Sequence, residues 1–277
     1  MEITPFSPGC GVVVGGVQLA QMSDGDYGQL RQAFNDHGLL FFRDQQLSEE
    51  EHLTFANRWG NVVLNKFFKP VEGFPDIAEV RKEKSQEMNI GGGWHADHSY
   101  DPEPALGSIL VARALPETGG DTCFADLCSA YDAFSPGFKK TLEGLRAIHS
   151  NEHIYGENGF YRNTDLSEQL GGIDRVGGAT HPMVIKHPDS GRKALFVNPG
   201  HTIGIEGWSH EESFALLHFL YAHVEQEAFT CRFNWLPGSV AFWDNRRSWH
   251  LAQNDYHGQF RLMHRITLEG APLQGVA

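Results

Sequence analysis

Short apolar runs broken by turn residues set the pattern of this chain. The runs Gly38 to Arg43, Ser108 to Arg113, Met183 to Lys186, Ala194 to Val197, Phe229 to Phe233, Ser239 to Trp243 and Phe260 to Leu268 are rich in Phe, Val, Ile and Leu. Each is long enough for a strand and too short for a typical helix. His187 to Arg192 holds Pro188, Ser190 and Gly191, and predicts the turn of a hairpin joining two of these runs. Helical signals are fewer. Ser23 with Asp26 predicts a helix running towards His37, and Ser48 with Glu51 a capping box before a helix ending near Trp59 and Gly60. Ser135 before Pro136 opens a short helix. Ser209 with Glu212 opens another, in which Phe214, Leu217, Tyr221 and Val224 recur at helical spacing and predict a core stripe. The segment from about 150 to 180 is the least patterned and predicts a long loop or active-site lid. No internal repeat or linker interrupts the 277 residues, so one domain spanning 1–277 is expected. Many short strands with a few peripheral helices predict a mainly β sandwich or jelly roll.

Composition narrows the partners. A formal charge of -13 repels phosphate backbones, so no nucleic-acid partner is expected, although local arginines can still hold a small anion. No stretch approaches the roughly 18 apolar residues of a membrane helix, and no membrane partner is expected. The early run Gly11 to Val17 is short and has no basic flank, which argues against a signal peptide. The four cysteines, Cys10, Cys123, Cys128 and Cys231, form no C-x-x-C pair. They read as reduced thiols in the cytoplasm.

The chemistry concentrates after Gly91-Gly92-Gly93. In extended chain, residues i and i+2 share a face, so His95 and Asp97 can present an imidazole and a carboxylate to one ion. Two His and one carboxylate leave open positions on a metal, the facial triad of non-haem Fe(II) oxygenases. The spacing alone is weak, because His187-Pro188-Asp189 repeats it inside a tight turn. His223-Val224-Glu225 has a similar form on the predicted helix, where those positions diverge. A third ligand must come from a distant strand, and His250 follows the apolar run ending at Trp243. Strand alternation then puts Arg261, Met263 and Arg265 on one face and His264 on the other. An inner face would make the arginines a site for carboxylate-bearing ligands; an outer face would leave them solvated.

These residues resemble the taurine and dichlorophenoxyacetate dioxygenase family, which uses Fe(II) and 2-oxoglutarate. The resemblance spans nearly the whole chain through five ordered blocks: Trp94 to Asp97, Leu115 to Thr122, Gly191 to Asn198, Trp243 to Arg246 with His250, and Arg261 to Arg265. It implies a double-stranded β-helix, a jelly-roll barrel with the metal in its mouth. His95, Asp97 and His250 match the iron ligands, and Thr122 and Arg261 match the pair that binds the remote carboxylate of 2-oxoglutarate. Arg265 matches the arginine that meets the substrate's anionic group. Asn65 stands where the taurine enzymes carry a sulfonate-binding histidine, and His201 where they carry a pocket phenylalanine. Asp97 is followed by the polar set His98, Ser99 and Tyr100. His98, Tyr100, Asn65 and His201 are therefore candidate substrate contacts, with polar packing the alternative for His98 and His201. The implied activity is hydroxylation of a small anionic substrate, a carboxylate, sulfonate or aryloxyalkanoate, with O2 as cosubstrate and succinate and CO2 released. Desaturation, epoxidation or cyclisation at the same iron site, or a non-catalytic anion-binding jelly roll, are the alternatives. The family implies a homodimer or homotetramer.

Overall fold

The computed structural model describes residues 1–63, 67–167 and 176–276. The chain is mainly β with few helices. The nine-stranded sheet runs, edge to edge, through Glu2–Pro5, Val12–Gly15, Leu39–Phe42, Val240–Asp244, Gly107–Ala114, Arg261–Leu268, Phe74–Lys82 and Pro70–Val71, with Val62–Val63 paired to Arg261–Leu268. Every pairing in it is antiparallel except Val12–Gly15 with Leu39–Phe42. A three-stranded sheet orders Thr230–Phe233, Thr122–Asp126 and Ser248–Ala252. Two smaller sheets complete the described strands: Gly178–Pro182, Arg146–Ser150 and Thr202–Ile205 in one, and the hairpin Val184–Lys186 with Lys193–Leu195 in the other.

Period-two alternation explains why the central strands are apolar at successive positions: both of their faces are covered. Leu40, Phe42, Ile109, Val111, Val240, Phe242 and Ile266 point to one side, under the helices Asp24–His37 and Glu49–Asn57. Leu39, Phe41, Leu110, Ala241, Trp243 and Met263 point to the other, where Phe124 and Phe233 of the three-stranded sheet meet them. Phe41 stacks on Phe233 with ring centroids 4.4 Å apart. Arg261 and Arg265 share the Met263 side and are buried, so the inner-face reading holds. His264 faces the helix side, 3.2 Å from Glu49. A third core packs helix His210–Val224 against Trp249, Val184, Leu195 and Phe196.

The helix starts follow the predicted caps. Ser23 Oγ accepts from Asp26 N, and complete capping boxes form at Ser48 with Glu51 and at Ser209 with Glu212. The hairpin closes through His187 to Arg192 as expected, and His187 is fully buried with Nε2 2.9 Å from Asp244. The second H-x-D is thus a structural turn, while His223 on its helix meets the Ala130 carbonyl. One expectation fails. Phe214 is 53% exposed and outside the core. The buried stripe is Ser213, Leu217, Leu220 and Val224, because Ser213 Oγ accepts from Ile205 N and sets the helix's rotation. The 150–180 segment also carries more structure than its composition suggests: helix Glu152–Tyr155, a 3-10 turn at Phe160–Asn163 and part of a strand. Residues 168–175 of that predicted lid lie outside the described residues.

Two measurements follow. Leu217→Ala should destabilise by about 2–5 kcal/mol in urea unfolding, whereas Phe214→Ser should stay within about 0.5 kcal/mol. His52 and His149 are fully buried, and burial pushes each imidazole down to about 3. Unfolded histidines take up protons near pH 6.5, so the unfolded state gains protons first on acidification. Stability should be fully present above pH 6.5 and fall below it, by about 2 kcal/mol per histidine at pH 5. His52→Leu should flatten that loss in unfolding measured at pH 5 and pH 7.5.

Candidate metal centre and adjoining cavities

Two stretches remote in sequence meet through a single antiparallel bridge. His95 N donates to His250 O at 3.1 Å, and His250 N donates to His95 O at 2.9 Å. Residues paired in this way carry side chains on the same face, and the imidazole centroids lie 4.1 Å apart. Asp97, two residues beyond His95, joins them. Its carboxylate lies 3.7 Å from His95 Nε2 and 3.8 Å from His250 Nε2. Candidate ligand atoms of all three lie within 4.8 Å of one another, the only such group among the described residues. His95 Nδ1 is 2.8 Å from the Gly93 carbonyl, which takes its proton and leaves the Nε2 lone pair towards Asp97. Gly200 makes room here: a Cβ at that position would come within 2.7 Å of His95 Cβ.

The charges suit a cation. Burial alone would raise the Asp97 carboxyl, but Arg265, then His250 and His95, outweigh it and hold the group well below the usual carboxylate range. Burial, reinforced by His95, pushes His250 well below its ordinary value and keeps it a neutral donor of electrons. Arg265 Nη1 lies 3.3 Å from both Asp97 oxygens. A chain of hydrogen bonds steadies the carboxylate from behind: Trp243 Nε1 to Asn245 Oδ1 (2.8 Å), Asn245 Nδ2 to Ser108 Oγ (3.2 Å), and Ser108 Oγ to Asp97 Oδ2 (3.0 Å). Ser108 carries no motif. Its sequence signal is a hydroxyl inside an otherwise apolar strand.

Beside the triad, Thr122, Arg261, Leu110, Trp243 and His250 line a second recess. Arg261 is buried, and its Nε and Nη2 find no hydrogen-bond acceptor among the described residues. Its side chain hydrogen-bonds Tyr256, and the Trp235 ring lies 5.8 Å away. Gly120, at φ +72, packs against the Arg261 stem, where a Cβ would crowd Cδ and Nε at 3.3 Å. Thr122 Oγ1 accepts from Trp235 Nε1 at 2.9 Å, which leaves its own proton available. A buried guanidinium with idle donors fits a carboxylate ligand. The donor set as a whole therefore fits a divalent metal flanked by a dicarboxylate.

On the other side of the triad a cavity of about 100 Å³ is lined by His95, Asp97, His98, Tyr100, His201 and Arg265, together with Phe67, Phe68, Ile154, Tyr155 and Tyr161. The structure thus brings His98, Tyr100, His201 and Arg265 to one cavity, as the sequence suggested. Asn65 lies outside the described residues. Ile154, Tyr155 and Tyr161, which no motif marked, bring the 150–180 segment into the wall. Tyr155 stacks on Phe67 at 4.3 Å.

A metal-binding face between a site for a dicarboxylate and an aromatic, arginine-bearing cavity is the layout of a 2-oxoglutarate-dependent dioxygenase. The chain belongs to the taurine catabolism dioxygenase TauD, TfdA family, whose model matches residues 2–267. It is 36% identical to an alkylsulfatase of Acinetobacter baylyi, over 99% of this chain and 87% of that protein. It is 32% identical to the (S)-phenoxypropionate/alpha-ketoglutarate-dioxygenase of Sphingobium herbicidovorans, over 100% and 97%. The crystal structure of AAD-2 in complex with Mn(II) and N-oxalylglycine superposes with a TM-score of 0.81 at 28% identity, covering 99% of this chain and 98% of that one. The protein is an Fe(II)- and 2-oxoglutarate-dependent dioxygenase that consumes O2 and acts on a small molecule.

The idle Arg261 donors generate a test. Arg261→Met should leave the ligand-free protein as stable or more stable, because it removes a buried charge that no carboxylate among the described residues pairs with directly. With Mn(II) present, 2-oxoglutarate at about 100 times its dissociation constant should stabilise the wild type by about 2.7 kcal/mol and the variant hardly at all. Thermal unfolding with and without 2-oxoglutarate measures both.

Proposed function

We propose that His95, Asp97 and His250 hold the iron, that Thr122 and Arg261 bind the remote carboxylate of 2-oxoglutarate, and that Arg265 receives the substrate's anionic group. The observation that carries this reading is the convergence of two imidazoles and one carboxylate within 4.8 Å, from segments far apart in the chain. We further propose that the strands form a double-stranded β-helix, with residues 1–277 as one domain and the 150–180 segment serving as a lid. The free thiols suit a reducing cytoplasm.

Bound iron would couple the oxidative decarboxylation of 2-oxoglutarate to oxidation of a substrate C–H bond, giving succinate and CO2. The protein's own part is positioning and exclusion of water. Arg261 and Thr122 fix one end of the cosubstrate, so its keto acid end faces the triad. The Trp243 to Ser108 chain holds the Asp97 carboxylate at one angle. Arg265, whose buried Nε has no acceptor among the described residues, keeps a donor for the substrate's anion while its Nη1 balances Asp97. The aromatic wall of Phe67, Phe68, Tyr100 and Tyr155 excludes water from the reacting carbon. The substrate is a small organic anion of the sulfonate, sulfate ester or aryloxyalkanoate kind, the chemistries named for the relatives.

A screen of succinate formation across sulfonates, sulfate esters and aryloxyalkanoates tests the assignment. At least one class should release succinate only with Fe(II) and O2 present; none doing so would overturn it. Arg265→Ala should raise KM for the active substrate roughly 30-fold or more, with 2-oxoglutarate binding retained. Ser108→Ala should fold normally yet bind Fe(II) or Mn(II) about 10-fold more weakly, seen by metal titration.

A further inference from the structure

The two recesses beside the triad share a wall. Ile90 and Gly91 line the one that holds Arg261 and also the cavity that holds Arg265. Gly91, at φ +77, lies directly against the His95 ring: a Cβ at that position would come within 3.1 Å of His95 Cε1 and 3.7 Å of Nε2. Only a residue without a side chain fits there, and its backbone limits how far the imidazole can tilt. Residues 83–94 belong to no described helix or strand. Their course, and with it the seat of His95, is therefore set by bonds other than a sheet ladder.

The Gly91 peptide is held from both sides. Its carbonyl accepts from Ala252 N at 2.8 Å, two residues past His250 on the same strand. Its N–H donates to the Tyr161 hydroxyl at 3.2 Å. Tyr161 comes from the segment that walls the substrate cavity. Its ring stacks on Tyr155 with centroids 5.7 Å apart, and Tyr155 stacks on Phe67, so the hydroxyl is carried on a braced ring. A second fastening lies one turn of chain away. Asp165 Oδ2 accepts from Glu87 N at 2.6 Å and from Met88 N at 3.4 Å, and the Asp165 carbonyl accepts from Gln86 Nε2 at 3.2 Å. A charged acceptor on backbone N–H groups makes a stronger tie than a neutral one.

We propose that Tyr161 is a positioning residue for His95, acting through the Gly91 peptide, and that Asp165 anchors the same loop at Glu87 and Met88. The segment 161–165 is thereby fastened to the backbone beneath a metal ligand, and metal affinity depends on two side chains that touch no metal. This rests on the reading of His95 as a ligand, and it adds what holds that ligand in place. Groups that orient a metal ligand from outside typically govern affinity by one or two orders of magnitude.

Tyr161→Phe keeps the stacked ring and removes the acceptor alone. In the metal-free protein, hydrogen exchange read at single residues should show the Gly91 amide exchanging about 10-fold faster or more, with the amides of Val240–Asp244 unchanged. Titration should show Mn(II) bound about 10-fold more weakly. The melting temperature of the metal-free protein should stay that of the wild type, because the bond resists a local opening and not global unfolding. Asp165→Ala should act in the same way, with faster exchange at Glu87 and Met88 and weaker Mn(II) binding. Asp165→Asn, whose amide oxygen still accepts, should restore both. Unchanged Gly91 exchange or unchanged Mn(II) affinity in Tyr161→Phe overturns the proposal. So does a melting temperature that falls in step with the affinity, since the bond would then serve stability alone. His95→Ala tests the reading underneath. Wild-type Mn(II) affinity in that variant would remove His95 from the metal, and this proposal with it. Affinity lost in His95→Ala but intact in Tyr161→Phe would leave the triad standing and sink only the role of Tyr161.

Discussion

One pair of backbone hydrogen bonds, between His95 and His250, organises the reactive end of this molecule. Most of the chain between those residues is committed elsewhere, to the two facing sheets and to the helix His210–Val224. The bridge closes the contact with two peptide groups whose geometry tolerates little variation. Imidazoles fixed this way do not depend on rotamer preference alone to converge. Asp97 stands two residues past His95, where the chain enters a turn, so one short segment brings two of the three candidate ligands and the bridge brings the third.

The site also shows how an acidic protein can be built around trapped positive charge. Arg261 and Arg265 lie on the inner face of their strand, against an apolar layer containing Met263, Leu110 and Trp243. Asp97 answers part of the Arg265 charge, while among the described residues no carboxylate pairs directly with Arg261, which has the Tyr256 hydroxyl and the more distant charge of Asp121. An interior of this kind is electrostatically incomplete until a small dianion enters. On the proposed role of Arg261, selectivity for the cosubstrate would be tied to the folded state's own deficit rather than to the surface charge.

Much of this was legible in the sequence, and the exceptions have physical causes. Strands such as Leu39–Phe42 and Val240–Asp244 announced themselves because both faces are covered, which leaves an uninterrupted apolar run. Phe74–Lys82 did not, because Asp76, Glu79 and Arg81 break the run in a strand towards the edge of the sheet. Thr122–Asp126 was hidden by its short, mixed composition, although its Thr122 was found through family resemblance. The capping residues placed four helices well, yet the stripe on the last was misjudged at Phe214, since a polar Ser213 took the inward position through a hydrogen bond no periodicity reveals. His95, Asp97 and His250 could be proposed from spacing and context. The Tyr155 and Tyr161 wall is a product of tertiary contact and had no signature of its own, while the Ser108–Asn245 relay showed only as a hydroxyl inside an otherwise apolar strand.

The strand Arg261–Leu268 has a metrical consequence. Its two inward guanidinium groups are four positions apart, and at about 3.3 Å of rise per residue their anchor points are separated by roughly 13 Å. On the proposed roles of Arg261 and Arg265, that interval would act as a fixed gauge between the far end of the cosubstrate and the head of the substrate. Neither anchor can be shifted without moving a strand hydrogen-bonded on both flanks. Diversification of such an enzyme towards longer or bulkier molecules would then have to proceed through the wall formed by residues 152–167, which pair in no described sheet.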